Sequence, residues 1–579
     1  MKTTFEPNRK WIPGRVPDPD TVTPIRERYS ARSGERGVER GLALNPIRIG
    51  SVGKLRRRPE SEPFFRRAKT TKQAILVLSS MESDAARRTK GRSKPGRVLR
   101  HSLTLLASVG LFFGVYATGN ADAADRPNIV FIMADDLGTG HLGFNGQTKI
   151  RTPHIDHLRA EGLYFSQVYA GCAVCAPCRS VLMTGYHMGH TSVRGNSGGI
   201  PLLDEDVTVA EVLKKAGYAT GCFGKWGVGD AHSPGMATRQ GFDTFFGYYD
   251  QVHAHSYYPA YLWHNDRKYY LPGNSGRASD GLTGVERGQY AHDEIQTKVI
   301  DFIQEHRDEP FFCYVPYTIP HTELLVPDDS LSEYAGKFLE PNPYVTESKH
   351  YQDQRQPRAA YAAMITRLDR SVGQIMTLLK RLDLDEKTIV FFTSDNGAQG
   401  SGGPDLDFFR GNMHLRGAKG MMYEGGIRVP MIVRWAGRIR PNSSSDLPWY
   451  FADVMPTLAE LVGVQGDLPP DIDGISVLPT ILGEEAVGRQ QQRHEFMYWE
   501  LGTGRRIRKG LRMGDWKAVQ MDPAKPIELF NLATDESETT NVADQHPEVM
   551  AKIRSILATC RTEARPQIEP PGTGDWRFR

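Results

Sequence analysis

The 579-residue chain has few cysteines, little net charge and little uninterrupted hydrophobic sequence. Six cysteines are too few for a disulfide scaffold in a chain of this length. A composition of 39% hydrophobic and 24% charged residues excludes collagen-like, coiled-coil and wholly disordered proteins. The length instead allows roughly three or four domains and a large buried core.

The net charge of +4 conceals an uneven distribution. Residues 1–100 contain 25 of the 72 Lys and Arg but 10 of the 68 Asp and Glu, which leaves 47 basic and 58 acidic residues for the rest. An acidic main part argues against nucleic acid as its partner. We interpret residues 1–93 as a disordered or mis-annotated extension, although a basic arm that binds nucleic acid has the same composition.

The longest apolar run, residues 103–115, follows three basic residues and precedes Ala121-Asp122-Ala123. This order is typical of a secretory signal peptide, which we place at 94–123. The run is short for a membrane span, although a retained anchor has a similar pattern. We therefore expect translation to start at Met81, the mature chain to begin near Ala124, and the protein to be exported to the periplasm or secreted.

From residue 128 onward, short buried-strand patterns alternate with amphipathic helical patterns, which predicts an α/β fold with a largely parallel central sheet flanked by helices. The predicted strands are 128–133, 311–315, 388–393 and 431–435, and the predicted helices are 207–216, 295–305 and 359–382. Two long stretches, 227–293 and 328–357, are predicted to be loops that form lids or pocket walls.

The pattern changes near Arg489. Short strands at 495–500, 510–520 and 527–532, followed by a helix at 547–559, predict a smaller α+β domain with an antiparallel sheet. We assign 124–488 to a catalytic domain and 489–579 to this C-terminal domain.

Two predicted strands end in polar side chains: Asp135 and Asp136 follow the first, and Asp395 and Asn396 follow another. Ligands of open α/β sheets bind outside the carboxyl ends of the strands. If the two strands are neighbours, these side chains form a site for a hard divalent cation, Ca²⁺ or Mg²⁺, rather than zinc. Each pair alone is more typical of a simple turn.

Three cysteines, Cys172, Cys175 and Cys178, lie within seven residues. An iron–sulfur cluster would need a fourth ligand, and a redox C-x-x-C motif does not usually carry Pro and Cys in this arrangement. A helix that begins near Pro177 places Cys175 at its positive end, with Arg179 one turn along the same face. Such a place suits a nucleophile that attacks an oxyanion ester.

These residues resemble the type I sulfatases. Cys175-Ala-Pro-Cys178-Arg179 matches the family's C-x-P-[ST/C]-R signature, and four further blocks follow in the family's order across about residues 125 to 545. The further blocks are 217–227 with Lys225, Pro320-His321, Ser394-Asp395-Asn396-Gly397, and 416–430 with Lys419. The resemblance implies an alkaline-phosphatase-like fold with a smaller C-terminal domain.

The resemblance also implies the chemistry. Cys175 would be converted by a maturation enzyme to formylglycine, whose hydrate attacks sulfur and later releases sulfate. The residue at 175 and the four strand-end residues, Asp135, Asp136, Asp395 and Asn396, would bind Ca²⁺. Arg179, Lys225 and Lys419 would neutralise the sulfuryl oxygens, and His321 would protonate the leaving alcohol.

One departure from the family concerns Gly227, which stands where many relatives carry a histidine. His253 and His255 are possible replacements, either as pocket-lining, substrate-binding residues or as a metal pair. The aromatic residues between 248 and 263 would either stack on a sugar or pack in the core.

The sequence thus predicts a calcium-dependent hydrolase of aryl sulfates or sulfated carbohydrates, with no stable membrane span after signal cleavage. Two alternatives stay open: a phosphonate monoester or phosphodiester hydrolase of the same superfamily, and a non-catalytic protein that binds sulfated glycans. The complete ligand set and Lys225 argue against the second.

Overall fold

The computed structural model describes residues 126–196, 201–274, 287–340, 342–345, 351–502 and 506–564. The predicted extension at 1–93 and signal peptide at 94–123 lie outside the described residues. Among the helices of the described ranges, none is long and apolar enough to cross a membrane.

Eleven strands of the described residues form one mixed sheet in the order β10-β2-β9-β8-β1-β7-β3-β4-β5-β6, with β11 also paired to β2. These strands are β1 (Asn128–Ala134), β2 (Leu163–Tyr169), β3 (Ala219–Lys225), β4 (Thr244–Tyr248), β5 (Tyr261–His264), β6 (Arg267–Tyr270), β7 (Phe311–Pro316), β8 (Thr388–Ser394), β9 (Arg428–Arg434), β10 (Ser443–Ser445) and β11 (Trp449–Tyr450). The central strands β8, β1, β7, β3 and β4 are mutually parallel.

Helices cover both faces of this sheet, which explains why every residue of β1 and β8 is buried. Alternate residues of β1 enter two separate cores, since Ile129 packs on one face and Val130 on the other. The helices are α1 (Pro153–Ala160), α2 (Cys175–Thr184), α3 (Val209–Lys215), α4 (Ala291–Glu305), α5 (Asp328–Leu331), α6 (Pro357–Arg381), α7 (Leu406–Phe409), α8 (Glu424–Ile427), α9 (Val454–Val462), α10 (Leu478–Leu482) and α11 (Glu484–Val487).

A separate antiparallel sheet of four strands lies in the C-terminal part of the described residues and packs with one helix. Its elements are β12 (Met497–Leu501), β13 (Arg508–Met513), β14 (Trp516–Gln520), β15 (Glu528–Asn531) and α12 (Pro547–Thr559). The predicted fold, a largely parallel sheet with flanking helices and an antiparallel C-terminal sheet, is confirmed.

A buried ionic group, here called the junction cluster, connects this small sheet to the rest of the molecule. Lys517 Nζ lies 2.7 Å from Glu424 Oε1 and 3.5 Å from Glu538 Oε1. The Tyr169 hydroxyl donates to Glu424 Oε2 at 2.6 Å. The cluster consists of these four residues, all of them buried.

The prediction of one long loop at 227–293 is wrong. The described part of that stretch contains β4, β5 and β6, which extend the main sheet. These strands are only four or five residues long, and β6 is exposed along its whole length. Neither an apolar run nor an alternating pattern therefore marked them. The predicted loop at 328–357 likewise contains the short helix α5.

Candidate active site

The carboxyl ends of β1 and β8 bring four polar side chains together. The two strands are neighbours in register, with Ala134 opposite Ser394. Asp135 and Asp136 therefore leave the sheet beside Asp395 and Asn396. The Asn396 side-chain amide donates to Asp136 Oδ1 at 2.7 Å, and the Asp136 backbone N–H donates to Asp395 Oδ1 at 3.2 Å. The condition stated for a cation site, that the two strands are neighbours, is met.

Cys175 is the first residue of α2, and its Sγ lies 3.4 Å from Asp135 Oδ1. The Asn196 side chain accepts a hydrogen bond from the Ala176 backbone N–H at 2.9 Å, so it caps this helix end. Burial, together with the negative charge of Asp135, raises the pKa of the Cys175 thiol above its ordinary range. All six cysteines of the chain lie in the described ranges and are free thiols.

Three cations from three different elements face the carboxylates. Arg179, one turn along α2, has Nη2 2.8 Å from Asp395 Oδ2. Lys225, the last residue of β3, has Nζ 2.6 Å from Asp135 Oδ2. Lys419, from the loop before α8, has Nζ 2.8 Å from Asp136 Oδ1. The three carboxylates and three cations form what we call the charge cluster.

The carboxyl groups of the charge cluster differ in pKa. Burial alone would raise the pKa of Asp135, but Lys225, His321 and Arg179 outweigh it and hold the pKa well below its usual range. Burial raises the pKa of Asp136, and burial with the nearby Asp135 charge raises the pKa of Asp395 to about 7. Carboxylates this close repel one another, so the ionised Asp135 disfavours ionisation of Asp136 and Asp395.

The side chains at this edge of the sheet can hold a metal ion. Ligand atoms of Asp135, Asp136, Cys175 and His321 all lie within 4.8 Å of one another. Asn396 Oδ1 is buried and has no hydrogen-bond partner in the described part of the chain, which is the expected condition of an oxygen ligand without its ion. Asp136 also has φ of 68°, a left-handed conformation that costs a non-glycine residue about 1 kcal/mol. Such strain is typical of functional sites.

His321 lies next to these carboxylates, with Nε2 3.6 Å from Asp136 Oδ2 and Nδ1–H directed at the Thr322 carbonyl. His255 stacks on it, with ring centroids 4.9 Å apart and planes only 9° from parallel. His253 packs instead between Tyr248 and Tyr261, at 5.1 and 4.7 Å. His255 therefore contacts a residue of the site, whereas His253 packs among aromatic side chains.

Among the described residues, the side chain nearest to a Cβ position on Gly227 is the amide of Gln251 and not an imidazole. A Cβ atom on Gly227 would lie 2.2 Å from the side-chain nitrogen of Gln251 and 3.4 Å from Arg179 Cδ. The buried Gln251 amide fills this space and donates to the Gly227 carbonyl at 3.2 Å. His253 and His255 were the expected replacements here, and the contact belongs to Gln251 instead.

Sequence reasoning also missed Gln399, whose Oε1 lies 3.1 Å from Lys419 Nζ. The sequence did offer one indication that Gln399 belongs to the site: it lies three residues after Asn396, in the same loop. The aromatic residues between 248 and 263 pack in the core, since each is at most 8% exposed, so they do not present a sugar-binding face. They are Tyr248, Tyr249, Tyr257, Tyr258, Tyr261 and Trp263.

Comparison with known proteins identifies relatives along most of the chain. The Sulfatase family model matches residues 127–464, and the model for the C-terminal part of N-sulphoglucosamine sulphohydrolase matches 414–563. An N-acetylgalactosamine-6-O-sulfatase of Bacteroides thetaiotaomicron is 30% identical over 536 residues, 79% of this chain and 98% of that protein. Human arylsulfatase A is 31% identical over 484 residues, 75% and 87% of the two chains. A solved 6S-sulfatase from a glycosaminoglycan locus of B. thetaiotaomicron superposes with a TM-score of 0.62 at 27% identity, over 76% of this chain and 100% of that one.

Proposed function

Because the chain belongs to the sulfatase family and is therefore a sulfuric ester hydrolase, we propose that its natural substrates are sulfated carbohydrates. The observation that carries the proposal is the meeting of Cys175, three carboxylates and three cations at one sheet edge. The choice of a sugar is supported by the relative that is named an N-acetylgalactosamine-6-O-sulfatase and aligns over 98% of its own length.

We propose that a formylglycine-generating enzyme oxidises Cys175 and that the hydrated aldehyde supplies the nucleophilic oxygen. The support is geometric: Cys175 begins α2, where helical N–H groups point towards the nucleophile and stabilise negative charge. Arg179, one turn further on, extends the same positive field. Cys172 is directed elsewhere, since its thiol points at the Glu500 carbonyl at 3.5 Å.

Asp135, Asp136, Asp395, Asn396 and the modified residue 175 would hold Ca²⁺. When bound, the ion polarises the sulfate group and lowers the pKa of the nucleophilic hydroxyl. The unpartnered Asn396 Oδ1 and the raised pKa of Asp395 support a cation at this place. Oxygen ligands favour Ca²⁺ over a softer metal.

The chain's own cations and His321 would perform the remaining tasks. Arg179, Lys225 and Lys419 bind sulfate oxygens and stabilise the negative charge that develops on them. His321 donates the proton from Nε2 to the ester oxygen as the alcohol leaves. The Thr322 carbonyl accepts from Nδ1–H and orients the ring, so the proton that is transferred is the second one of the imidazolium, on Nε2.

Export through the 94–123 signal and division into a catalytic domain, 124–488, and a C-terminal domain, 489–579, are part of the same proposal. The partners are a sulfated saccharide and the maturation enzyme, with no role for nucleic acid. Release of a protein that begins near Ala124 would support the export, and its intact mass measures this directly.

The test is peptide mass spectrometry of the Cys175 segment after expression with a maturation enzyme, followed by assays of paired sulfate and phosphate esters. We expect an aldehyde at Cys175 and a higher kcat/KM for the sulfate esters, with activity lost on chelation and restored by Ca²⁺. A higher kcat/KM for phosphate or phosphonate esters would favour the rival hydrolase. Glycan binding without turnover by the modified, Ca²⁺-loaded protein would favour a binding protein.

A further inference from the structure

We propose that Tyr351, stacked on His255, forms the subsite that binds the leaving group of the ester, a sugar ring. Nothing in the sequence motifs pointed to Tyr351. The inference rests on the proposed function, because it takes His321 as the proton donor to the ester oxygen.

Three rings form a continuous stack that ends at the proton donor. The His321 and His255 centroids are 4.9 Å apart, and the His255 and Tyr351 centroids are 5.3 Å apart with planes inclined by 38°. His321 is buried, whereas Tyr351 is half-buried. The stack therefore runs from the surface to the charge cluster.

A single carboxylate holds the two loops of this stack in place. Glu323, two residues after His321, accepts the Tyr257 backbone N–H on Oε1 at 3.3 Å and the Gln352 backbone N–H on Oε2 at 3.1 Å. The segment after Tyr351 is fixed further by paired backbone hydrogen bonds between Tyr344 and Gln354, at 2.8 and 2.9 Å. Tyr351 is therefore a positioned ring rather than a loop residue in chance contact.

The way in which the ester is cleaved places the sugar beside His321 and the rings packed on it. The cations bind the sulfate oxygens, whereas the donor must reach the bridging oxygen, which stays with the sugar. Groups packed on His321 are therefore the nearest neighbours of the sugar. The Tyr351 ring offers a flat face for the apolar side of a pyranose.

The experiment compares Tyr351→Ala, Tyr351→Phe and Tyr270→Ala in the full, matured, Ca²⁺-loaded chain. Tyr270 is the matched control, because it is 68% exposed on the edge strand β6. The measurements are kcat and KM for N-acetylgalactosamine 6-sulfate, and the inhibition constants of the two products, inorganic sulfate and N-acetylgalactosamine.

For Tyr351→Ala we expect KM and the inhibition constant of the free sugar to rise about tenfold, which is the size of one lost aromatic contact. We expect kcat to change less than about threefold and the inhibition constant of sulfate to stay the same, because the sulfate-binding cations are untouched. Tyr351→Phe and Tyr270→Ala are expected to match the wild type.

An unchanged KM in Tyr351→Ala would overturn the subsite. A parallel rise in the sulfate inhibition constant would also overturn it, because the ring would then only support the charge cluster. Failure of the proposed function is visible in the wild type alone: no turnover of any sulfate ester would remove both proposals. Turnover of 4-nitrophenyl sulfate without turnover of the sugar sulfate would leave the esterase and remove the sugar subsite.

Discussion

The charge cluster and the junction cluster are both buried groups of carboxylates and cations, and they differ in how completely their polar atoms are paired. In the junction cluster, each side-chain polar atom of Glu424, Lys517, Glu538 and Tyr169 has a partner. In the charge cluster, Arg179 Nε has no partner among the described residues, and neither has Oδ1 of the adjoining Asn396.

This difference separates a structural cluster from a functional one. Complete pairing offsets the cost of burying charge, so the junction cluster needs nothing from outside the chain. Incomplete pairing leaves positions for an ion and an anionic substrate, at a cost to stability that function explains. Mutations should therefore reduce stability in one cluster and activity in the other.

The largest expected effect is on stability, for Lys517→Met. Removal of the ammonium leaves two buried glutamates without their shared partner, which costs about 3–5 kcal/mol. Chemical denaturation measures the change in the free energy of unfolding. Lys552→Met, an exposed lysine on α12, is the control and should change it little. A Lys517→Met protein as stable as the wild type would show that the junction cluster is dispensable.

The next effect is on activity, for Lys225→Met. Loss of one preorganised cation should lower kcat/KM by about 10²–10³-fold. In the presence of calcium the free energy of unfolding should fall less than for Lys517→Met, because the ion also neutralises Asp135. Lys214→Met, on an exposed lysine of α3, controls for loss of charge. Activity within tenfold of the wild type would exclude Lys225 from the reaction.

A smaller effect concerns pH. Burial raises the pKa of Glu538 to about 7 from the ordinary glutamate value of 4.5, so the folded protein keeps a proton that the unfolded chain releases. The stability this proton provides is present below about pH 4.5 and is lost as the pH rises through 7. Glu538→Gln should reduce that loss by at least about 1 kcal/mol, because one pKa unit corresponds to about 1.4 kcal/mol.

Unfolding midpoints at pH 5 and pH 8 test this prediction. Glu548→Gln, on an exposed residue of α12, is the control and should show the wild-type difference. Equal differences for wild type and Glu538→Gln would mean that Glu538 is ionised in the folded state throughout.

The smallest effect is expected for Gly227→Ala, which adds both backbone strain and a clash with Gln251. Gly463→Ala separates the two causes, because Gly463 has nearly the same φ, 77° against 78°, but open space around its Cβ position. Both should lose about 1 kcal/mol of stability to backbone strain, and Gly227→Ala should lose more because Gln251 has to move. Only Gly227→Ala should also lower kcat/KM, by about tenfold, and Gln251→Ala in the same chain should restore part of it.

The sequence was most informative where functional residues directly follow a strand or begin a helix. The polar ends of β1 and β8 and a helix start near Cys175 were predictable, because buried strands and helix starts have strong local patterns. That the two strands are neighbours is shown only by the structure. The short strands β4 to β6 were not predictable, since their residues carry no clear period.

Contacts between different segments of the chain could not be predicted from the sequence either. Gln251 meets Gly227, and Tyr351 meets His255 about a hundred residues away, only because the folded sheet brings their loops together. The aromatic residues at 248–263 had suggested a sugar-binding face, but burial can be read only from the tertiary structure.

The exposed strand β6 has a consequence for how molecules of this protein meet one another. Among the described strands it is the last of the main sheet, so its outer backbone groups can pair with a strand of a second molecule. Arg267 and Lys268 lie on this strand, and all four of its residues are exposed. Two copies that joined edge to edge would bring these positive side chains together, so the strand that widens the sheet also protects the protein against aggregation.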